Sequence, residues 1–357
     1  MKRRRCRCIE LLEVKNLMAG HISATLLGSD LVIEGDDLAN SLTVSQIAPN
    51  RVILRGFAPD ERITDITTIN LFSNTVQFEN VTGSITIRTR GGDDRLFFTD
   101  GRFQGPVSID LGLGNDRAEV GRGAVTFDRS LAVQLGAGQD AYVQTGTRVL
   151  QHQSIAGNLG GDVIALVASS VAGGLSIDGG AGFDGIRVER TAVGAFSGIV
   201  GGDDGDRIET VYCAFASGVS ILGGAGGDLV DLVGSRFNST LFVALEADFG
   251  AVTVQGSVIT GDCWLTSAGP SNVTFQNSRA NRLEVATGPS SDTVIVDRSA
   301  LDMLFVRLGE GNDVLRVTGN EIARGGLFDG QGGVDSLFER VVTTGAQRLG
   351  FESVDIM

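Results

Sequence analysis

The chain has 357 residues, a net charge of −14 and a mean hydropathy of +0.15, with 51 Gly, only 5 Pro and 6% aromatic residues. An acidic chain of this kind repels nucleic acid and anionic membrane surfaces, and no segment is apolar for long enough to span a bilayer. Two histidines (His21, His152), one tryptophan (Trp264) and four cysteines without a C-x-x-C pair leave little material for zinc sites or sugar-stacking platforms.

Residues 1–20 form a basic head. Lys2, Arg3, Arg4, Arg5, Arg7 and Lys15 stand against Glu10 and Glu13, a balance of +4, and no lysine follows Lys15. Glu10 and Glu13 interrupt the apolar run that a standard secretory signal needs. The core Leu11-Leu12-Glu13-Val14-Lys15-Asn16-Leu17-Met18-Ala19 resembles the LLE-x-R-x-LLA motif at the start of many large secreted proteins of planctomycete-type bacteria, with Lys15 where Arg is usual and Met18 where Leu is usual. That resemblance implies a secreted or cell-surface protein. The alternative is a short basic helix.

Residues 21–63 read as a β cap. LVIEG, SLTVSQ and RVILRG are short strands, and Pro49-Asn50 marks a hairpin turn. A cap is expected because an open strand edge invites aggregation.

From residue 64 to 347 the chain repeats, with the first regular coils beginning near Thr67–Gly83. Asp140, Asp162, Asp184, Asp206 and Asp228 recur every 22 residues; Asp94 and Asp116 extend the series upstream, and Asp313 and Asp335 resume it downstream. Each follows a glycine-rich turn such as LGLGND, GGAGFD or GGAGGD. Apolar columns keep the same register: Ile164, Ile186, Ile208, Val230 and Val252 two residues after the Asp position, and Ile177, Ile199, Ile221, Val243, Leu265, Val285, Val306 and Phe328 before it. A small polar column runs Ser169, Thr191, Cys213, Ser235, Ser257, Ser278, Ser299, Asn320. A fixed period of this size with local alternation predicts an all-β, single-stranded parallel β-helix of about twelve coils, right-handed by the usual chirality of parallel crossovers. At ~4.8 Å per coil the rod is about 55–60 Å long. The tail at 348–357 is expected to lie across the final coil.

Between Glu246 and Pro289 the Asp column lapses, with Gly250 and Asn272 near the expected places. Either a partner binds there, or these coils have drifted while Val252, Val254, Leu265, Val273, Phe275 and Val285 keep the core. Cys213 and Cys263 fall on different columns about two coils, or ~10 Å, apart, beyond disulfide reach.

The turn G-x-G-x-D resembles the core of the calcium-binding repeats of RTX (hemolysin-type) proteins, although those coils have 18 residues and two such turns, against 22 and one here. The resemblance implies Ca²⁺ held by Asp94, Asp116, Asp140, Asp162, Asp184, Asp206, Asp228, Asp313 and Asp335 together with turn carbonyls. Carboxylates stacked at ~4.8 Å repel by about 3–4 kcal/mol per pair, so some compensation is required. Besides Ca²⁺, the arginines after the turn (Arg95, Arg117, Arg207) could neutralise them, or the aspartates could cap turn amides. The expected function is a secreted or surface structural or adhesive module, with its partner, which the residues do not identify, sought among cell-surface or matrix components. The alternative is a polysaccharide-active β-helix lyase or hydrolase, which would need a cleft built by long turns; Asp203, Asp204 and Asp206 are its densest acidic cluster.

Overall fold

A computed structural model of the chain describes residues 20–58, 66–71, 73–246, 248–340 and 345–356. The basic head up to residue 19, with Cys6, Cys8 and the LLE-type core, lies outside the described residues, as does the expected junction at 63–64.

The described chain is all-β and forms a parallel β-solenoid of about twelve coils of some 22 residues. Each regular coil contributes three strands. One coil runs Leu175–Ala181, Gly185–Glu189 and Ala192–Val193, and the next repeats this as Ser197–Asp203, Arg207–Val211 and Ala214–Phe215. Equivalent strands pair in parallel without slippage: Ile164 lies beside Ile186, Ile186 beside Ile208, Ile208 beside Val230, and Val230 beside Val252. The alternating pattern turns these residues inward, and none is more than 1% exposed. The column from Ile177 to Phe328 is equally buried. Aromatic side chains stack between coils where the core admits them, as Phe215 and Phe237 do at 5.2 Å between ring centroids and 5° between planes. One polar cluster is enclosed. The Tyr142 hydroxyl donates to Gln144 Oε1 at 2.7 Å, and Gln153 Nε2 donates to the same oxygen at 2.6 Å, so these buried groups are satisfied within the core.

Two corners show why the period holds. At one, residues 146, 168, 190, 212, 234, 256, 277, 298 and 319 all have positive φ, from 46° to 64°, whatever the side chain. The geometry belongs to the coil and not to glycine. Ala168, Arg190 and Tyr212 accept it at a cost of about 1 kcal/mol each, because Cβ crowds the following carbonyl. Ala168→Gly is therefore expected to raise the thermal midpoint slightly, while Ala165→Gly, in the adjacent strand, lowers it; the reverse order would place the strain elsewhere. At the glycine-rich turn the need is steric. A Cβ on Gly202 would stand 1.8 Å from the carbonyl oxygen of Gly180, and one on Gly224 would stand 2.0 Å from that of Gly202.

The N-terminal segment differs from a separate cap. Asp30–Glu34 pairs in parallel with Ile85–Arg88, and Ser41–Ala48 with Arg95–Phe98, so residues 30–48 already form a coil. The antiparallel capping comes from His21–Leu27 against Asp30–Glu34, and from Arg51–Gly56 and Thr75–Phe78 beyond Ser41–Ala48. The first coil was hidden because 54 residues, not 22, separate it from the next. At the other end the tail does not lie across the final coil. Ala346–Leu349 and Ser353–Ile356 add in parallel to Gly326–Asp329 and Ser336–Arg340, continuing the winding. In these last coils the core becomes ionic: Glu339, fully buried, receives both Nε and Nη2 of Arg348, each at 2.7 Å.

The shortened steps after residue 257 have a local cause. In the first, from Ser257 to Ser278, three residues separate Ser267 from Ser271 where four separate their partners Leu245 and Gly250; in the steps that follow, the short strand and the long strand after it are fused into Arg279–Ala286 and Ala300–Arg307, which removes a corner residue and keeps the period at 21.

Candidate functional site

The nine predicted aspartates come together as one column along the rod, but they face its interior. Each is at most 4% exposed. Their turns enter the strand directly after the Asp, and the alternation that buries Ile186 or Ile208 buries the Asp two residues earlier as well. Every carboxyl uses Oδ1 to accept the backbone N–H of the equivalent residue one coil before it. Asp184 accepts from Asp162 at 2.7 Å, Asp206 from Asp184 at 2.8 Å, and Asp228 from Asp206 at 2.9 Å. The same bond joins Asp94–Asp116, Asp116–Asp140, Asp140–Asp162 and Asp313–Asp335. These amides lie at a turn where no strand partner is available, so the side chain replaces a rung of the sheet.

Three further members were not legible from the 22-residue step. Asp292 accepts the Ser271 amide and hydroxyl at 2.7 and 2.8 Å, and its own amide donates to Asp313 at 2.7 Å. A step of 21 would have found it, and it places Ser271, not Asn272, at the ladder position. At the N-terminal end Asn40 donates its amide to Asp94 at 2.6 Å, and at the C-terminal end Glu352 accepts the Asp335 amide at 2.7 Å.

The ladder is broken at Gly250 by an exchange of volumes. In the coils just before it a glycine lies five residues before the Asp, and Oδ2 occupies the space above it: a Cβ on Gly179, Gly201 or Gly223 would stand 2.2–2.4 Å from the Oδ2 of Asp184, Asp206 or Asp228, whereas Asp116, Asp140 and Asp313 stand beside a buried leucine (Leu111, Leu135, Leu308) at that place. In the next coil Leu245 replaces that glycine and Gly250 replaces the aspartate. Leu245 is buried, and its Cδ1 lies 2.5 Å from where a Cβ on Gly250 would be. The lapse between Glu246 and Pro289 is thus a repacked coil.

The small polar column does the same work at another corner. Ser235 Oγ accepts the Cys213 amide at 3.1 Å, Ser257 that of Ser235 at 3.1 Å, and Asn320 that of Ser299 at 2.8 Å. A third ladder runs in the opposite sense on the outside of the turn, where Asn115 and Gln139 donate their amides at 2.8 Å to Asp93 and to Asn115. Cys213 and Cys263 are buried free thiols.

The electrostatics follow from burial. Desolvation pushes the Asp94 carboxyl up to about 8, those of Asp116, Asp162 and Asp206 to about 7, and those of Asp184 and Asp313 to about 6. The amide donors pull the other way, while neighbouring carboxylates such as Asp204 and Asp228 add to the rise at Asp206. The arginines after the turns give no relief. Arg117 pairs with Glu119 at 2.7 Å, and Arg207 with Glu209 at 2.6 Å and Asp231 at 2.9 Å, all on the outer surface.

These carboxyls do not fit a calcium cage. Ca²⁺ takes six to eight oxygens at about 2.3–2.6 Å. Here Oδ1 is already an amide acceptor, and in Asp162, Asp184, Asp206, Asp228 and Asp335 Oδ2 is packed against the glycine of its own coil. The turn carbonyls are committed too: those of Leu159, Ala181 and Asp203 accept the amides of Gly138, Gly160 and Gly182. Among the described residues no group of three or more His, Cys, Asp and Glu side chains is placed to hold a metal ion. Nor do the histidines meet an acid–base partner: His152 Nδ1 accepts the Gly174 amide at 3.0 Å, and His21 Nδ1 lies 3.0 Å from the Thr68 hydroxyl.

No known family model matches the chain, and no curated protein sequence matches it. Among the described residues no helix is long and apolar enough to cross a membrane.

Proposed function

We propose that this chain is a structural or adhesive rod, secreted or displayed at the cell surface. One observation carries this reading. The residues that repeat most strictly, and that would be the first candidates for chemistry, point inward and are spent on bonds between coils. What the rod offers outward is a periodic surface of short turns and paired charges, exemplified by Arg187 between Glu189 and Glu209. Such a surface suits multivalent contact along its length, with cell-surface or matrix components as partners. The basic head, with its likeness to the motif of exported proteins, supports the location.

The test combines location with attachment. Antibody labelling and protease accessibility on intact cells are expected to find the rod outside, and the purified chain is expected to bind envelope or matrix material. Confinement to the cytoplasm would overturn the reading. Depolymerisation of acidic polysaccharides by the purified chain would replace it with the β-helix lyase or hydrolase alternative.

A further inference from the structure

We propose that the ligand of the interior aspartate ladder is the proton and not a cation: in mildly acidic solution its carboxyls are held as neutral acids, and the rod loosens as they ionise on passing through neutrality. The geometry divides each carboxyl into two unequal oxygens. Oδ1 accepts an amide of the preceding coil. Oδ2 is buried and has no hydrogen-bond partner in Asp94, Asp116, Asp140, Asp162, Asp184, Asp206, Asp228, Asp292, Asp313 and Asp335 alike. A carboxylate would leave negative charge on that oxygen in every coil, with the next charge one coil away. A neutral acid puts its proton there and keeps Oδ1 as the acceptor.

The surroundings supply no positive charge. None of the ion pairs among the described residues involves a ladder aspartate. The ionisable groups that act on the ladder from the packed turns and neighbouring coils are themselves acidic: Asp93, Asp178, Asp204, Glu246, Asp248 and Glu352. Burial, the lack of a cation and like-charge neighbours all favour the protonated form; in Asp162 only the single amide bond opposes it, while hydroxyl or side-chain amide donors add to that bond at Asp94 and Asp292.

The sign of the pH effect follows. Unfolded aspartates ionise near 3.9. The folded ladder ionises later, so between those values the unfolded chain holds fewer protons and stability falls as pH rises. The loss is complete once pH exceeds the raised values, from about 6 at Asp184 to about 8 at Asp94. The surface carboxyls work in the opposite direction in acid. At Glu119 and Glu209 burial raises the pKa, but their arginine partners outweigh it and leave both low, so their contribution is lost only as pH falls through those values.

The experiment is thermal melting of the full chain from about pH 5 to about pH 9 at fixed ionic strength, in chelator and in millimolar Ca²⁺. The midpoint is expected to fall with pH across this range and to be the same with and without Ca²⁺. Asp184→Asn with Asp206→Asn keeps a neutral side chain with an accepting oxygen. This double variant is expected to melt above wild type at the alkaline end and to show a shallower pH dependence. Asp184→Ala with Asp206→Ala loses the acceptors and melts lower at every pH, which separates the role of Oδ1 from that of the proton. Infrared spectroscopy of the wild type near pH 6 should show the carbonyl stretch of protonated carboxylic acids, reduced in the Asn variant. Stabilisation by Ca²⁺ that the Asn variant loses would overturn the proposal, as would an infrared spectrum with ionised carboxylates only.

Discussion

Ile208→Asp is expected to unfold the middle of the rod, with a loss of at least about 4–5 kcal/mol. Ile208 is fully buried between Ile186 and Val230 on the neighbouring coils. The substitution removes apolar burial worth a few kcal/mol and introduces a carboxyl among side chains that offer no donor. It differs from the ladder aspartates, two residues away along the chain, in having no amide to accept from. Because each coil is held chiefly by its neighbours, the damage should spread to adjacent coils instead of staying local. Glu209→Ala is the control. Glu209 points outward, bridging Arg187 and Arg207, and its removal should cost no more than about 1 kcal/mol. Chemical denaturation of the two variants measures the contrast, and equal losses would mean that the strand is turned the wrong way.

The Leu245–Gly250 exchange predicts strong coupling between two substitutions. Gly250→Asp alone sets a carboxyl against the Leu245 side chain and should destabilise by several kcal/mol, by overpacking and by burying a polar group. Leu245→Gly alone leaves a cavity and should cost about 3–5 kcal/mol. Together they recreate the glycine–aspartate pair of the preceding coil, Gly223 with Asp228. The new carboxyl would stand where it can take the Asp228 amide and extend the ladder. The double variant is therefore expected to be more stable than either single one, with a favourable interaction energy of at least about 1–3 kcal/mol from a double-mutant cycle. Additive losses would show that the two positions do not share one space.

Other readings also turned on what a repeat reveals. The columns of Ile, Val and Leu gave the inward face, the parallel pairing and the continuity of the core, because an apolar residue that recurs at one phase of every coil has no place but the interior. The small polar column from Ser169 to Asn320 was visible for the same reason, although its task as a chain of amide acceptors was not. The aspartate column was visible too, and amide capping was among its readings, but the letters could not choose between an amide, an arginine and Ca²⁺. An aspartate after a glycine-rich turn suggests an outward ligand, and the inward turn of the backbone at that residue is a matter of φ and ψ that the letters do not record. Asp292, Asn40 and Glu352 escaped because a fixed step cannot follow a shortened corner, an excursion of 54 residues or a return of 17.

The sequence by itself thus determined the architecture. Period and alternation are properties of single columns, and burial of apolar surface admits one arrangement of them. Only the tertiary structure decided what the polar residues do. Whether a carboxyl meets a cation, an arginine or an amide depends on which atoms stand within about 3 Å of each oxygen, and in a solenoid those atoms belong to the coil before and the coil after. For Asp206 they are the amide of Asp184 and the bare face of Gly201.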